Sequence, residues 1–290
     1  RELAAHVTAL PSFSRHLAVM AIVNRTPDSF YDKGKTFGLA AAVASGAAAF
    51  AAGAEFVDVG GVKFAPGPPI AIEEEIDRVV PVVRELAALG AVSVDTFHPE
   101  VARAALAAGA SIINDTTGLR DPAMADVVAD SDAAIVIAHS LAEPRQQHPL
   151  PHYDDVASEV AAFLRQRVEL ALARGIPPER IIIDPGHDLN KNTLQTLELT
   201  RRLDEIAALG YPMLVALSNK DFIGESLGRA RDERVAGSLA AAVFSVLHGA
   251  RIVRAHNVPE TVDALRMIEA ILGWRVPGDL VHNMRAEGND

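Results

Sequence analysis

The sequence predicts a single (β/α)8 barrel with eight parallel strands, and three observations predict it. Short apolar runs recur along the chain, helical stretches lie between them, and polar residues gather where the runs end. The runs are Leu17 to Val23, Glu55 to Val59, Ala91 to Val94, Ser111 to Ile113, Ala134 to Ala138, Ile181 to Ile183, Met213 to Leu217 and Arg251 to Val253. They are near-continuously hydrophobic, as strands covered on both faces must be.

Between the runs, apolar residues take helical spacing. Ile72, Ile76, Val79, Val83 and Leu86 share one face, and Val156, Val160, Phe163, Leu164 and Val168 share another. Pro81 is expected to kink or restart the first of these helices. Gly53, Gly90, Gly109, Gly175, Gly210 and Gly249 each follow an alanine- or leucine-rich stretch and precede a strand, where a helix needs a stop.

Such alternation with right-handed crossovers admits a closed barrel or an open doubly wound sheet. The strand ends decide between them. Asn24, Gly60, Asp95, Asn114, His139, Asp184, Ser218 and Arg254 all fall at or just after a strand's C-terminal end, and a barrel collects those ends around one mouth. The chain divides into an extension at 1–14, the barrel at 15–276 and a tail at 277–290. Arg229 to Arg234 reads as a solvated loop.

Composition narrows the function. A formal charge of −11 disfavours a general nucleic-acid partner. No apolar run approaches the length that crosses a bilayer. Residues 1–14 lack the apolar core of a secretory signal, so the cytoplasm is the expected compartment. The absence of cysteine excludes disulfides, thiolate nucleophiles and cysteine metal sites.

A series of motifs then stands in order at the strand ends. Asn24-Arg25-Thr26-Pro27-Asp28-Ser29-Phe30 follows the first strand, and Asp58-Val59-Gly60-Gly61 with Pro66-Gly67 follows the second. Ser93-Val94-Asp95-Thr96, Ile113-Asn114-Asp115, Tyr153-Asp154-Asp155-Val156, Asp184-Pro185-Gly186, Ser218-Asn219-Lys220-Asp221 and Arg254-Ala255-His256 complete the set. Taken alone, Asp-Pro-Gly is a turn, Asn114 a cap and His256 a packing residue. As an ordered set spanning Val19 to about Ile271, they resemble the dihydropteroate synthase family of pterin-binding barrels.

The resemblance implies that 4-aminobenzoate displaces diphosphate from 6-hydroxymethyl-dihydropterin diphosphate. It implies a pterin cradle of Asp95, Asn114, Asp184 and Lys220. A carboxylate such as Asp184 accepts the side-by-side N3–H and 2-amino donors as it would accept arginine. It implies a diphosphate site at Asn24, Arg254 and His256, with Mg2+ near Asn24, and catalytic roles for Lys220, Arg254 and His256. It also implies a homodimer through late barrel helices, with Ala236 to Leu247 apolar enough to take part.

Departures cluster where the family receives 4-aminobenzoate. Its second loop reads Gly-Gly-Glu-Ser, then Ser or Thr, then Arg-Pro-Gly; here Lys63, Phe64 and Ala65 replace the hydroxyls and the arginine. A lysine cannot reproduce a guanidinium fork. In the seventh loop, Asn219 and Asp221 replace residues of more positive character beside Lys220. Asp221 is expected to compete for the helix start that takes the benzoate carboxylate. Two such charges 4 Å apart at an effective dielectric near 20 cost roughly 4 kcal/mol, about a thousandfold in affinity. In the sixth loop, His187-Asp188-Leu189 stands where the family has Ile or Leu, Gly and Phe, and an aromatic closing the pterin site is lost.

The pattern resembles a divergent second copy of the kind actinobacteria carry, with the pterin pocket kept and ordinary coupling lost or greatly weakened. An active pterin transferase with another acceptor and a non-catalytic scaffold or regulatory homodimer are the alternatives. A pterin-binding methyltransferase domain fits the first loop and the Arg254-Ala255-His256 end less well.

Overall fold

Eight parallel strands close into the expected barrel: β1 (Ala18–Asn24), β2 (Phe56–Gly60), β3 (Ala91–Asp95), β4 (Ile112–Asp115), β5 (Ala134–Ala138), β6 (Ile181–Asp184), β7 (Met213–Val215) and β8 (Ala250–Ala255). Each strand pairs with the next, and β8 returns to β1 through Ala18↔Ile252 to Ala21↔Ala255. The computed structural model describes residues 10–25, 35–147, 150–278 and 280–283. Thr26 to Phe30 of the first motif, His148, most of the extension and the end of the tail lie outside the described residues.

The helices between strands are α1 (Lys35–Ala51), α2 (Ile72–Leu86), α3 (Pro99–Ala107), α4 (Ala123–Ala129), α5 (Val156–Ala173), α6 (Thr193–Arg201), α7 (Leu203–Ala207), α8 (Asp221–Leu227), α9 (Val235–Leu247) and α10 (Val258–Ile271). Five of the six expected stop glycines take positive φ, from 86° at Gly210 to 111° at Gly109. Gly90 does not take the left-handed conformation. No helix among the described residues is long and apolar enough to cross a membrane.

Pro81 does not restart its helix, because α2 runs through it. Proline cannot donate to the carbonyl four residues earlier. That carbonyl, on Asp77, accepts instead from Arg25 Nη1 at 3.1 Å, and the same nitrogen serves the carbonyl of Arg78. The arginine after β1 thus supplies the donor that the helix lacks.

Strand alternation builds two cores. Met20, Phe56, Ile112, Val136, Ile182, Leu214 and Ile252 fill the lumen, with Phe13 beneath them. Arg251 Nε donates to the Phe13 carbonyl at 3.1 Å, so the segment before β1 caps the barrel bottom. Outward residues such as Val57, Val94, Ile113 and Ile183 pack against the helices. The inward parity that buries Met20, Phe56, Ile112, Ile182 and Ile252 carries Asn24, Asp58, Asn114, Asp184 and Arg254 to the upper lumen. A polar layer therefore tops an apolar one.

Candidate functional site

The centre of the polar layer is Arg254. Its Nε donates to Asp58 Oδ2 at 2.7 Å and its Nη2 to Asp95 Oδ2 at 3.3 Å. Asn114 Nδ2 donates to the same Asp58 oxygen at 3.1 Å. Burial works against the Arg254 charge, but the two carboxylates outweigh it and hold its pKa above the ordinary value. Asp95 is pushed up to about 7, chiefly by burial and against the pull of Arg254, with Asp58, Glu75 and Asp115 adding repulsion.

Asp58 Oδ1 and Asn114 Oδ1 are buried with no hydrogen-bond partner. Buried acceptors without donors cost about 1–3 kcal/mol each, so a water or a ligand that brings donors would stabilise this layer. Asp58 received no role from the sequence. Its signal was a charge inside an apolar run, at the inward parity of Gly60.

Asp184 lies at the end of β6, and its Oδ1 accepts the Gly186 N–H at 2.7 Å. The turn reading of Asp-Pro-Gly is therefore correct and uses one carboxylate oxygen. Gly186 has φ 70°, and a Cβ there would stand 2.1 Å from the His139 carbonyl, so only glycine fits. Burial raises the Asp184 pKa, opposed by the Gly186 N–H, Lys220 and Arg254. Lys220 Nζ donates to the His187 carbonyl beside it. Burial lowers the Lys220 pKa, partly offset by Asp188 and Asp184.

His139 serves this turn from behind. Lys191 Nζ lies 2.9 Å from its Nδ1 and donates to the carbonyls of Gly186 and Leu189. Burial and Lys191 pull the His139 pKa down to about 2, which leaves a neutral ring that accepts from the Lys191 amino group. Lys191, absent from the sequence expectations, is the pin of the sixth loop.

The seventh loop corrects one expectation. Asp221 is the first residue of α8, but its carboxylate does not take the N–H groups there: it is 87% exposed and pairs with Arg234 Nη1 at 3.0 Å. The N–H groups of Asp221 and Phe222 point instead to Asp188 Oδ2, at 2.8 and 3.3 Å. Asp188 has φ 60°, a conformation disfavoured for a side-chain-bearing residue, and its Oδ1 also accepts from Thr196 Oγ1 at 3.2 Å. Asn219, at φ 58°, donates through its backbone N–H to Ser238 Oγ at 3.0 Å.

Nor is the stretch from Arg229 to Arg234 merely a solvated loop. Arg234 is 14% exposed and also donates to the carbonyls of Asn219 and Lys220, at 2.9 and 3.1 Å. An arginine head can leave solvent where several carbonyls replace its water.

Asn24 ends β1 in register with Gly60, which pairs with Asp95 in turn. Its Oδ1 would lie 3.6 Å from a Cβ on Gly60, and Asp95 Cβ would lie 3.7 Å from the same point. His256 donates its backbone N–H to Ser218 Oγ, and its Nδ1 lies 3.1 Å from that hydroxyl. Burial and then Arg254 lower the His256 pKa to about 4, so its ring is neutral near pH 7. In the second loop, the carbonyls of Lys63 and Ala65 accept from Arg145 Nη1, at 3.1 and 2.9 Å. The Phe64 carbonyl accepts the Arg145 N–H at 3.0 Å.

Residues 20–256 match the model of the pterin binding enzyme family. The chain is 43% identical over 278 residues to a Mycobacterium leprae protein named inactive dihydropteroate synthase 2, covering 92% of this chain and 94% of that one. It is 39% identical over 260 residues to dihydropteroate synthase of Escherichia coli K12, covering 89% of this chain and 92% of that one. The solved dihydropteroate synthase of Xanthomonas albilineans with 4-aminobenzoic acid superposes with a TM-score of 0.85 at 42% identity, covering 93% of this chain and 97% of the other.

Proposed function

Because the chain belongs to the dihydropteroate synthase family of pterin-binding enzymes, we propose that it binds a pterin and its diphosphate while coupling to 4-aminobenzoate is lost or greatly weakened. Asp184 accepts the N3–H and 2-amino fork of the ring. Asn114 and Asp95 take the remaining ring donors and acceptors, and Lys220 donates to the ring carbonyl side. What supports this assignment is the polar layer, where Asp58 Oδ1 and Asn114 Oδ1 await donors and Arg254 draws Asp58 and Asp95 together.

At the diphosphate end, Arg254 is committed to two carboxylates through Nε and Nη2. The ring of His256 can contribute a hydrogen bond there, and an adjacent diphosphate would favour its protonated form. Mg2+ ordinarily keeps several waters and takes one or two protein oxygens beside phosphate oxygens. Asn24 Oδ1, with the Asp95 side chain on the far side of Gly60, suits so sparse a set. Among the described residues, no three His, Cys, Asp or Glu side chains are grouped to hold a metal. In this reading Mg2+ would arrive with the diphosphate and neutralise its leaving charge, with Asn24 as its protein ligand.

The observation that carries the loss of coupling is Asp188. Its carboxylate holds the Asp221 and Phe222 N–H groups, the donors that the family resemblance assigns to the benzoate carboxylate. Ala65 in the second loop offers no compensating cation. Diphosphate release from 6-hydroxymethyl-dihydropterin diphosphate tests the reading. Little release is expected with 4-aminobenzoate, and release comparable to a working family member would overturn it.

Exposed Asp221 favours a second reading, an acceptor amine that carries a positive group. Release with such an amine and not with 4-aminobenzoate would select it. A homodimer would use the outer face of α9 and α10, where Phe244, Leu247, Met267 and Ile271 are exposed. Sedimentation equilibrium tests that assembly.

A further inference from the structure

β2 and β5 are not neighbours, since β3 and β4 lie between them with Asp95 and Asn114 near their upper ends. The loops that follow β2 and β5 are nonetheless joined, and a single side chain makes most of the connection. Arg145 Nη1 donates to the carbonyls of Lys63 and Ala65, at 3.1 and 2.9 Å. Its Nε and Nη2 donate to the Pro68 carbonyl, at 3.3 and 2.9 Å.

Two backbone bonds flank the guanidinium: Arg145 N–H to the Phe64 carbonyl at 3.0 Å, and Gly67 N–H to the Arg145 carbonyl at 3.1 Å. The second loop is thus wrapped around the arginine from Lys63 to Pro68. Gly67 makes room for it, because a Cβ there would stand 2.2 Å from Nη2. Arg145 itself has φ 66°, a conformation retained only where surrounding contacts over-determine it.

The fifth loop is anchored in turn. Asn190 Oδ1 accepts the N–H groups of Leu141 and Ala142, at 3.0 and 2.9 Å, and Arg120 Nη2 donates to the carbonyls of the same two residues. Asn190 belongs to the sixth loop, which carries Asp188 and meets the seventh at α8. A belt of side-chain-to-backbone bonds therefore runs from the second loop through the fifth and sixth to the seventh.

We propose that Arg145 is a positioning residue that latches the second loop across the β3–β4 side of the barrel mouth, so that this wall stands before any ligand arrives. The latch spends the guanidinium on carbonyls and so fixes loop geometry without offering an anion fork. Flexible loops order on binding and lose affinity to that cost; a latched wall avoids it. The inference does not depend on which ligand the mouth takes.

Limited trypsin digestion of the full chain, with cleavage after Lys63 followed by mass spectrometry, tests it without ligand. Removing several charge-assisted bonds should open the loop locally. Cleavage after Lys63 is expected to accelerate roughly tenfold or more in Arg145→Ala, with the thermal midpoint nearly unchanged. Arg145→Lys, a point donor, should restore only part of the protection. Gly67→Ala displaces the guanidinium without altering the arginine, and it should reproduce the Arg145→Ala pattern. Should Arg145→Ala unfold the whole chain, with cuts spreading into α5, Gly67→Ala decides alone. Unchanged cleavage after Lys63 in the folded variants would overturn the proposal.

Discussion

The carboxylate of Asp188 accepts the backbone N–H of Asp221 at 2.8 Å, so the sixth loop fills the start of the helix that follows Lys220. An internal carboxylate in that place does what an incoming one would do, at no cost in translational freedom. Asp188→Gly removes it and suits the backbone, since φ 60° is relaxed for glycine. The variant should bind 4-aminobenzoate roughly tenfold or more tightly in the presence of pterin and diphosphate, by calorimetry. Equal affinity in both proteins would remove Asp188 from the explanation.

Arg234 and Asp221 form an ion pair but differ in burial, and their variants should differ accordingly. Asp221→Asn affects an exposed carboxylate and should change stability by less than about 1 kcal/mol. Arg234→Ala strips donors from the Asn219 and Lys220 carbonyls and should cost about 1–3 kcal/mol in urea unfolding. Equal costs would mean that the ion pair, and not the carbonyl clamp, orders the seventh loop.

Asp58 is wholly buried and holds both Arg254 and Asn114. Breaking a buried pair from one side leaves the other charge short of a partner, which costs about 3–5 kcal/mol. Asp95 still faces Arg254, so Asp58→Ala should fall near the lower end, about 3 kcal/mol, with weakened pterin binding. Wild-type stability and affinity in this variant would show that the polar layer does not organise the cradle.

Asp95 sets a pH dependence. With its folded pKa raised from 3.8 to about 7, the native state holds a proton that the unfolded chain has released across that interval. Stability from this group therefore falls as pH rises from about 4 to about 7 and is level above. Asp95→Asn should flatten that part of the profile in unfolding experiments at pH 5 and pH 8. The same slope in the variant would assign the titration to another group.

The fold, and the position of several polar residues at the barrel mouth, were legible because they follow local rules. Asp95, Asn114, Asp184 and Arg254 announce themselves as polar residues where apolar runs stop, and strand parity then aims them into the lumen. Asp58 obeys the same parity but sits inside an apolar run, where no strand end marks it. Asp188, Arg145 and Arg234 were not legible, because each acts on backbone groups 33, 80 and 15 residues away. Amides and carbonyls have no residue signature. The continuity of α2 through Pro81 likewise depended on Arg25, a donor from 52 residues earlier.

The proposed function joins a pterin seat that is kept to a benzoate seat that is filled from within. Calorimetric titration of the full chain with 6-hydroxymethyl-dihydropterin diphosphate and Mg2+, repeated with 4-aminobenzoate present, addresses it most directly. Saturable binding of the pterin diphosphate is expected, with a binding isotherm that 4-aminobenzoate leaves unaltered. Absence of pterin binding, or 4-aminobenzoate turning the same titration into sustained heat of turnover, would contradict it.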